Sequence, residues 1–243
     1  MEKTLNRENF DAVLFDLDGV LTDTARIHST CWKRMFDSYL QLRPEPFVPF
    51  DPKDDYKHYV DGKLRYDGVR SFLESRQIRL PEGNPEDGED METVCALGNR
   101  KDAYFAEVLA SEGVDVFAGS LDLVRHLRRQ GMKTAVVSAS KNCQAVLQAV
   151  GIEDLFDLRV DGKVAAQMEL AGKPAPDTFL KAAQLLGVEP GRAVVVEDAI
   201  SGVQAGRAGN FGLVIGVDRH DHAAALKTNG ADIVLTDLAD LLP

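Results

Sequence analysis

Short apolar runs separated by stretches of helical periodicity constrain this chain more than any other feature. The runs are Ala12-Val13-Leu14-Phe15, Lys133 to Val137, Ala193-Val194-Val195-Val196, Gly212 to Val217 and Asp232 to Leu235. Apolar runs this short and this continuous suit strands buried on both faces, and alternation with helices implies a parallel sheet covered on each side. The expected fold class is therefore α/β, with a Rossmann-like parallel sheet. Ligands of such sheets bind beyond the carboxyl ends of the strands. Polar residues that directly follow a strand are the first candidates for chemistry.

The rhythm breaks once, after the first strand. Ile27, Cys31, Met35 and Tyr39, with Trp32 and Phe36 beside them, recur at helical spacing up to about Leu42. Thr24 is placed to cap this helix. Pro44, Pro46, Pro49 and Pro52 predict irregular structure from Arg43 to Tyr59. A loop carrying Gly62, Arg65 and Gly68 is expected next, with a helix starting at Val69. The acidic run from Pro81 to Thr93 reads as a solvated loop. A further helix from about Glu92 to Ser111 would bury Val94, Leu97, Tyr104, Phe105, Val108 and Leu109, with Lys101 as a solvated charge. Residues 26–111 are thus expected to form an inserted α-helical cap domain, and residues 1–25 and 112–243 the α/β core.

Charge and composition narrow the function. A net charge of −11 over 243 residues opposes non-specific nucleic-acid binding, which needs a basic face. A phosphorylated ligand would need a local basic pocket. No apolar run approaches the ~20 residues of a membrane helix, and the opening MEKTLNRENFDA lacks the apolar stretch of a secretory signal. Cys31, Cys95 and Cys143 are far apart and form no CxxC pair, so neither zinc nor a disulfide framework is suggested. A cytoplasmic monomer with no membrane or nucleic-acid partner is expected.

The strand ends carry the chemistry. Asp16 and Asp18 follow the first strand and project to one side, and Gly19 permits a tight turn after them. Two carboxylates there suit a hard cation, although Asp and Gly are also ordinary turn residues. Ser138-Ala139-Ser140-Lys141-Asn142 follows the second strand. Lys173 lies in Gly172-Lys173-Pro174-Ala175-Pro176-Asp177, and Glu197-Asp198 closes the third.

These four pieces, in this order, resemble the haloacid dehalogenase (HAD) superfamily of phosphotransferases. FDLDGVLTDT with His28 after it, SASKN and GKPAPD resemble its β-phosphoglucomutase-like family more closely. Ala199 stands where that superfamily often has a hydroxyl residue. The resemblance implies a HAD fold and catalysis by Asp16, Asp18, Ser138 and Lys173. Asp16 would be the nucleophile and form an aspartyl-phosphate. Asp18 would be the general acid/base. Ser138, Lys173 and the backbone around Ala139, Ser140, Lys141 and Asn142 would hold the phosphoryl group. Mg²⁺ would be bound by Asp16, the Asp18 carbonyl, Glu197 and Asp198. In the cap, Arg65 and Lys101 would bind the far phosphate of the substrate, Gly62 would belong to the substrate-binding set, and Thr24 and His28 would couple the hinge to the acid/base. The implied activity interconverts β-D-glucose 1-phosphate and glucose 6-phosphate through glucose 1,6-bisphosphate, with a small phosphorylated sugar as substrate. A sugar-phosphate phosphatase is the alternative, and a catalytically silent scaffold or metabolite sensor a third reading.

Overall fold

The computed structural model describes residues 5–219 and 221–243. The chain divides into two compact units, one of Met1–Asp23 with Val114–Pro243 and one of Thr24–Gly113. The first strand, β1 (Ala12–Phe15), belongs to the discontinuous unit, and all four of its residues are buried.

The continuous unit is helical. Helix α1 (Ala25–Leu40) buries Ile27, Cys31, Trp32, Met35, Phe36 and Tyr39, one stripe at three- and four-residue spacing. Thr24 occupies its N-cap position but makes no side-chain capping bond, because its backbone is already in the right-handed helical region. Phe36 is the hub of the core: its ring centre lies 4.0 Å from that of Phe72, 5.4 Å from Phe50 and 5.3 Å from Trp32. The proline-bearing segment is irregular until a single π-turn at Tyr56–Val60. It is fastened where Phe50 enters the core: its N–H donates to Asp37 (2.7 Å) and its carbonyl accepts from Lys33 (2.9 Å).

Helix α2 (Arg65–Ser75) starts four residues before Val69, so Arg65 sits in its first turn and Gly68 lies inside it. The glycine that reads as loop punctuation has a packing cause. A Cβ at Gly68 would stand 3.3 Å from the Trp32 ring and 3.5 Å from the Val60 backbone. Helix α3 (Val94–Glu112) is capped by Thr93, whose hydroxyl accepts from the Ala96 N–H. Val94, Leu97 and Phe105 are buried, while Tyr104, Val108 and Leu109 are half-buried. Lys101 is not the solvated charge its sequence setting suggests: only 5% of it is exposed.

The discontinuous unit continues with α4 (Ala118–Arg129), β2 (Lys133–Val137), α5 (Cys143–Ala149), β3 (Leu158–Val160), α6 (Gly162–Gln167), α7 (Asp177–Leu186), β4 (Ala193–Glu197), α8 (Ile200–Ala208), β5 (Leu213–Val217), α9 (Ala223–Thr228) and β6 (Ile233–Leu235). The six strands form one sheet in the order β3-β2-β1-β4-β5-β6, parallel at every pairing. Strand β3 and helices α6 and α9 are additions to the sequence reading. Among the described residues, no helix is long and apolar enough to cross a membrane. The chain runs outward from β1 on one side through β2 and β3, then returns to β4 on the other. That reversal places the topological switch point between β1 and β4, where an open parallel sheet leaves a crevice for ligands.

Candidate active site at the switch point

Strand register delivers the acidic residues together. Phe15 pairs with Val196, so Asp16, just past β1, stands beside Glu197, the last residue of β4. The Asp16 N–H still donates to Val196 (2.9 Å), which keeps the nucleophile candidate on strand geometry. Carboxylate oxygens of Asp16, Glu197 and Asp198 all lie within 4.8 Å of one another, and all three residues are buried. Lys173, itself 3% exposed, stands 2.5 Å from both Asp16 and Glu197 and donates to the Val137 carbonyl at 3.3 Å.

Two glycines make this crowding possible. A Cβ at Gly202, on α8, would stand 1.9 Å from Glu197 Cδ. Gly19 has φ of +79°, and a Cβ there would stand 1.8 Å from Asp198 Oδ2. Both the left-handed turn and the close approach exclude a side chain at Gly19. The Gly19 N–H donates to Thr22 (2.8 Å), closing the turn that follows Asp18.

The second strand supplies a hydroxyl-bearing loop. The Ser138 N–H donates to Val160 (3.0 Å), and its Oγ accepts from the Ser140 N–H at 3.0 Å and lies 3.4 Å from Asp18 Oδ2. Ser140 Oγ in turn accepts from the Asn142 N–H (3.1 Å), so the run through Ala139, Ser140, Lys141 and Asn142 is a tightly bonded turn. Gly162 lets α6 approach it: a Cβ there would stand 2.5 Å from the Ala139 carbonyl.

Electrostatics favours a cation. Burial raises the Asp16 carboxyl well above its ordinary range; Lys173 opposes this, while Glu197 and Asp18 add to it. The Lys173 ammonium is disfavoured by burial, but Asp16 and Glu197 more than offset this and raise it above the usual lysine range. Three clustered carboxylates around one ammonium leave negative charge in a buried space, and the donors are all oxygen. That set fits a hard divalent ion.

The remaining candidates lie in the helical unit. His28 Nδ1 is 2.5 Å from Lys101 Nζ, and the His28 ring stacks on Phe105 at 4.2 Å. The Lys101 ammonium also lies 5.2 Å from the Trp32 ring centre and 5.1 Å from that of Phe105. Arg65 pairs with Asp102 (2.8 Å) and reaches Asn99 Oδ1 at 3.3 Å. Thr24 is buried, and Gly62 adopts φ of +67° in the turn before α2. Two residues beside the acidic cluster escaped the sequence reading, Arg219 and His222. Their signal was the rule already applied elsewhere, since both follow the apolar strand β5.

A haloacid dehalogenase-like hydrolase family model matches residues 10–210. The chain is 52% identical to a β-phosphoglucomutase of Mycobacterium bovis, over 97% of this chain and 92% of that one. Identity to the β-phosphoglucomutase of Bacillus subtilis is 32%, over 95% and 91% of the two chains. The crystal structure of β-phosphoglucomutase from Clostridium difficile superposes with a TM-score of 0.77 at 26% identity, covering 96% of this chain and 93% of that one. The chain therefore belongs to the haloacid dehalogenase-like hydrolase family, and it is an enzyme of the β-phosphoglucomutase-like branch. Enzymes of this family generally use Mg²⁺, and the oxygen-only cluster of Asp16, Glu197 and Asp198 fits that ion.

Proposed function

We propose that this enzyme is a Mg²⁺-dependent mutase that interconverts β-D-glucose 1-phosphate and glucose 6-phosphate through glucose 1,6-bisphosphate. The observation that carries this choice is the 52% identity, nearly end to end in both chains, to a β-phosphoglucomutase. In this reading the Asp16 carboxylate attacks phosphorus, a P–O bond to the sugar breaks, and Asp18 protonates the departing oxygen. In the reverse direction Asp18 takes the proton from the acceptor hydroxyl as that oxygen attacks the phosphoryl group on Asp16. Splitting the transfer in this way lets one site serve both ends of the sugar. Ser138, bonded to both the Ser140 N–H and Asp18, orients the acid/base. Lys173 holds Asp16 in place and offsets charge on the transferring group. Asp16 and Asp198 carboxylates, the Asp18 carbonyl and Glu197 would hold Mg²⁺, which supplies charge neutralisation for the phosphoryl oxygens. Arg65 and Lys101 are assigned to the second phosphate, Gly62 to substrate binding, and Thr24 and His28 to the response of the acid/base.

The family's hydrolases motivate one other reading, in which water is the acceptor. A single assay separates them. Purified enzyme with Mg²⁺, the β-anomer of glucose 1-phosphate and a trace of the bisphosphate should form glucose 6-phosphate faster than inorganic phosphate. Absence of glucose 6-phosphate overturns the mutase, and phosphate release outpacing isomerisation establishes the hydrolase. Three buried cysteines outside any disulfide suit the reducing compartment expected for such an enzyme.

A further inference from the structure

Two residues that follow β5 reach the acidic cluster, and the chemistry above uses neither. Arg219 Nε donates to the Gly19 carbonyl at 2.8 Å, and its Nη1 donates to Thr236 at 2.9 Å. Its guanidinium lies 3.6 Å above the Phe117 ring centre, which fixes the plane of the fork. His222 faces the other acidic loop: its Nε2 lies 3.1 Å from the Asp198 carbonyl. A carbonyl only accepts, so Nε2 carries the hydrogen. The second ring nitrogen stands 3.3 Å from Asp218, whose carboxylate also accepts from the N–H groups of His222 (2.9 Å) and Ala223 (3.1 Å).

The two carbonyls belong to the two loops that carry the acidic residues, and those loops touch at the contact between Gly19 and the Asp198 carboxylate. The result is a closed circuit: Arg219 holds Gly19, Gly19 abuts Asp198, and His222 holds Asp198. Buried carboxylates repel one another, so their loops spread unless something fixes the backbone. We propose that Arg219 and His222 are positioning residues that set the spacing of Asp16, Glu197 and Asp198 and thereby the affinity of the site for a divalent cation. This rests on reading those three carboxylates as the metal site. Groups that orient metal ligands from behind typically contribute ten- to hundredfold in affinity.

The test uses Mn²⁺ as the probe on the full chain after removal of metal, with free ion counted by electron paramagnetic resonance. Wild type should bind one Mn²⁺ per chain. His222→Ala should weaken binding at least about tenfold, and His222→Gln, which keeps an N–H donor, should return it to within about threefold of wild type. Arg219→Met keeps the stem over Phe117 but loses the donors, and should also weaken binding. Thermal melts of the metal-free proteins identify any variant that fails to fold; should His222→Ala be one, His222→Gln and Arg219→Met decide. Binding by His222→Ala within twofold of wild type overturns the proposal, as does His222→Gln binding as weakly as a folded His222→Ala. Binding by a folded Arg219→Met within twofold of wild type overturns it too, as does Mn²⁺ binding to folded variants while wild type binds none; no binding by wild type or by any folded variant overturns the metal reading beneath it.

Discussion

The Asp16 side chain combines two opposed demands. It must be ionised to attack phosphorus, yet burial favours its proton, with Lys173 pulling the other way. Because its carboxyl holds a proton more readily folded than unfolded, metal-free protein loses stability as pH rises from the ordinary carboxylate range towards the raised value. Asp16→Asn removes that loss. Its melting temperature relative to wild type, both without metal, should therefore climb as the pH rises above the ordinary carboxylate range, from about pH 4 upwards. Turnover of the same variant should fall by roughly three orders of magnitude or more, measured as glucose 6-phosphate formed. The cysteines give a simpler expectation. Burial raises the thiols of Cys31 and Cys143 above their usual range, Cys143 the more strongly, and all three cysteines are buried and in no disulfide. Native protein at neutral pH should react with a thiol reagent at none of its three cysteines and denatured protein at all of them. A fast-reacting native thiol would contradict this burial.

At the level of elements, α8 shows how a helix can be shaped by the site it backs. An interior glycine normally weakens a helix by about 1 kcal/mol relative to alanine. Gly202→Ala should therefore stabilise if only α8 mattered. Here the added Cβ would overlap Glu197, which is fully buried and paired with Lys173. The opposite sign is expected: a lower melting temperature and at least about tenfold weaker divalent-cation binding, both read on one purified variant. The strands that bear Asp16, Ser138 and Glu197 were legible in the sequence because each is a buried apolar run with a polar residue at its end. Strand β3 was not, since Leu158–Val160 has three residues and only Val160 is fully buried. The start of α2 was misplaced because Gly68 answers to Trp32, a contact that no local pattern contains. Lys101 misled for the same reason. Its surroundings, His28, Trp32 and Phe105, come from α1 and its own helix together. Arg219 and His222 were open to the strand-end rule, since both follow β5, but they act through backbone carbonyls, which leave no residue-type signature in the loops they hold.

Among the described residues, each unit has a hydrophobic core of its own. One gathers Ala12, Leu14, Val195, Phe179 and their neighbours around the sheet; the other gathers Trp32, Phe36, Phe50 and Phe72. Trp32 is the only tryptophan of the sequence, so its fluorescence reports on the helical unit. Phe36→Ala should cost that unit about 3–5 kcal/mol, seen as a lower denaturant midpoint by tryptophan fluorescence. An unchanged midpoint would mean that the aromatic cluster does not stabilise it. The placement of β1 has a further consequence, for the order in which a ribosome delivers the chain. β1 is made first, yet its partners are β2, beginning at Lys133, and β4, beginning at Ala193. A strand buried on every side waits for its first partner until the helical segment has been synthesised, and for its second until most of the second half has. Asp16 can therefore meet Lys173 and Glu197 only late in translation, and the proposed phosphoryl-transfer site cannot assemble until the sheet closes around its oldest strand.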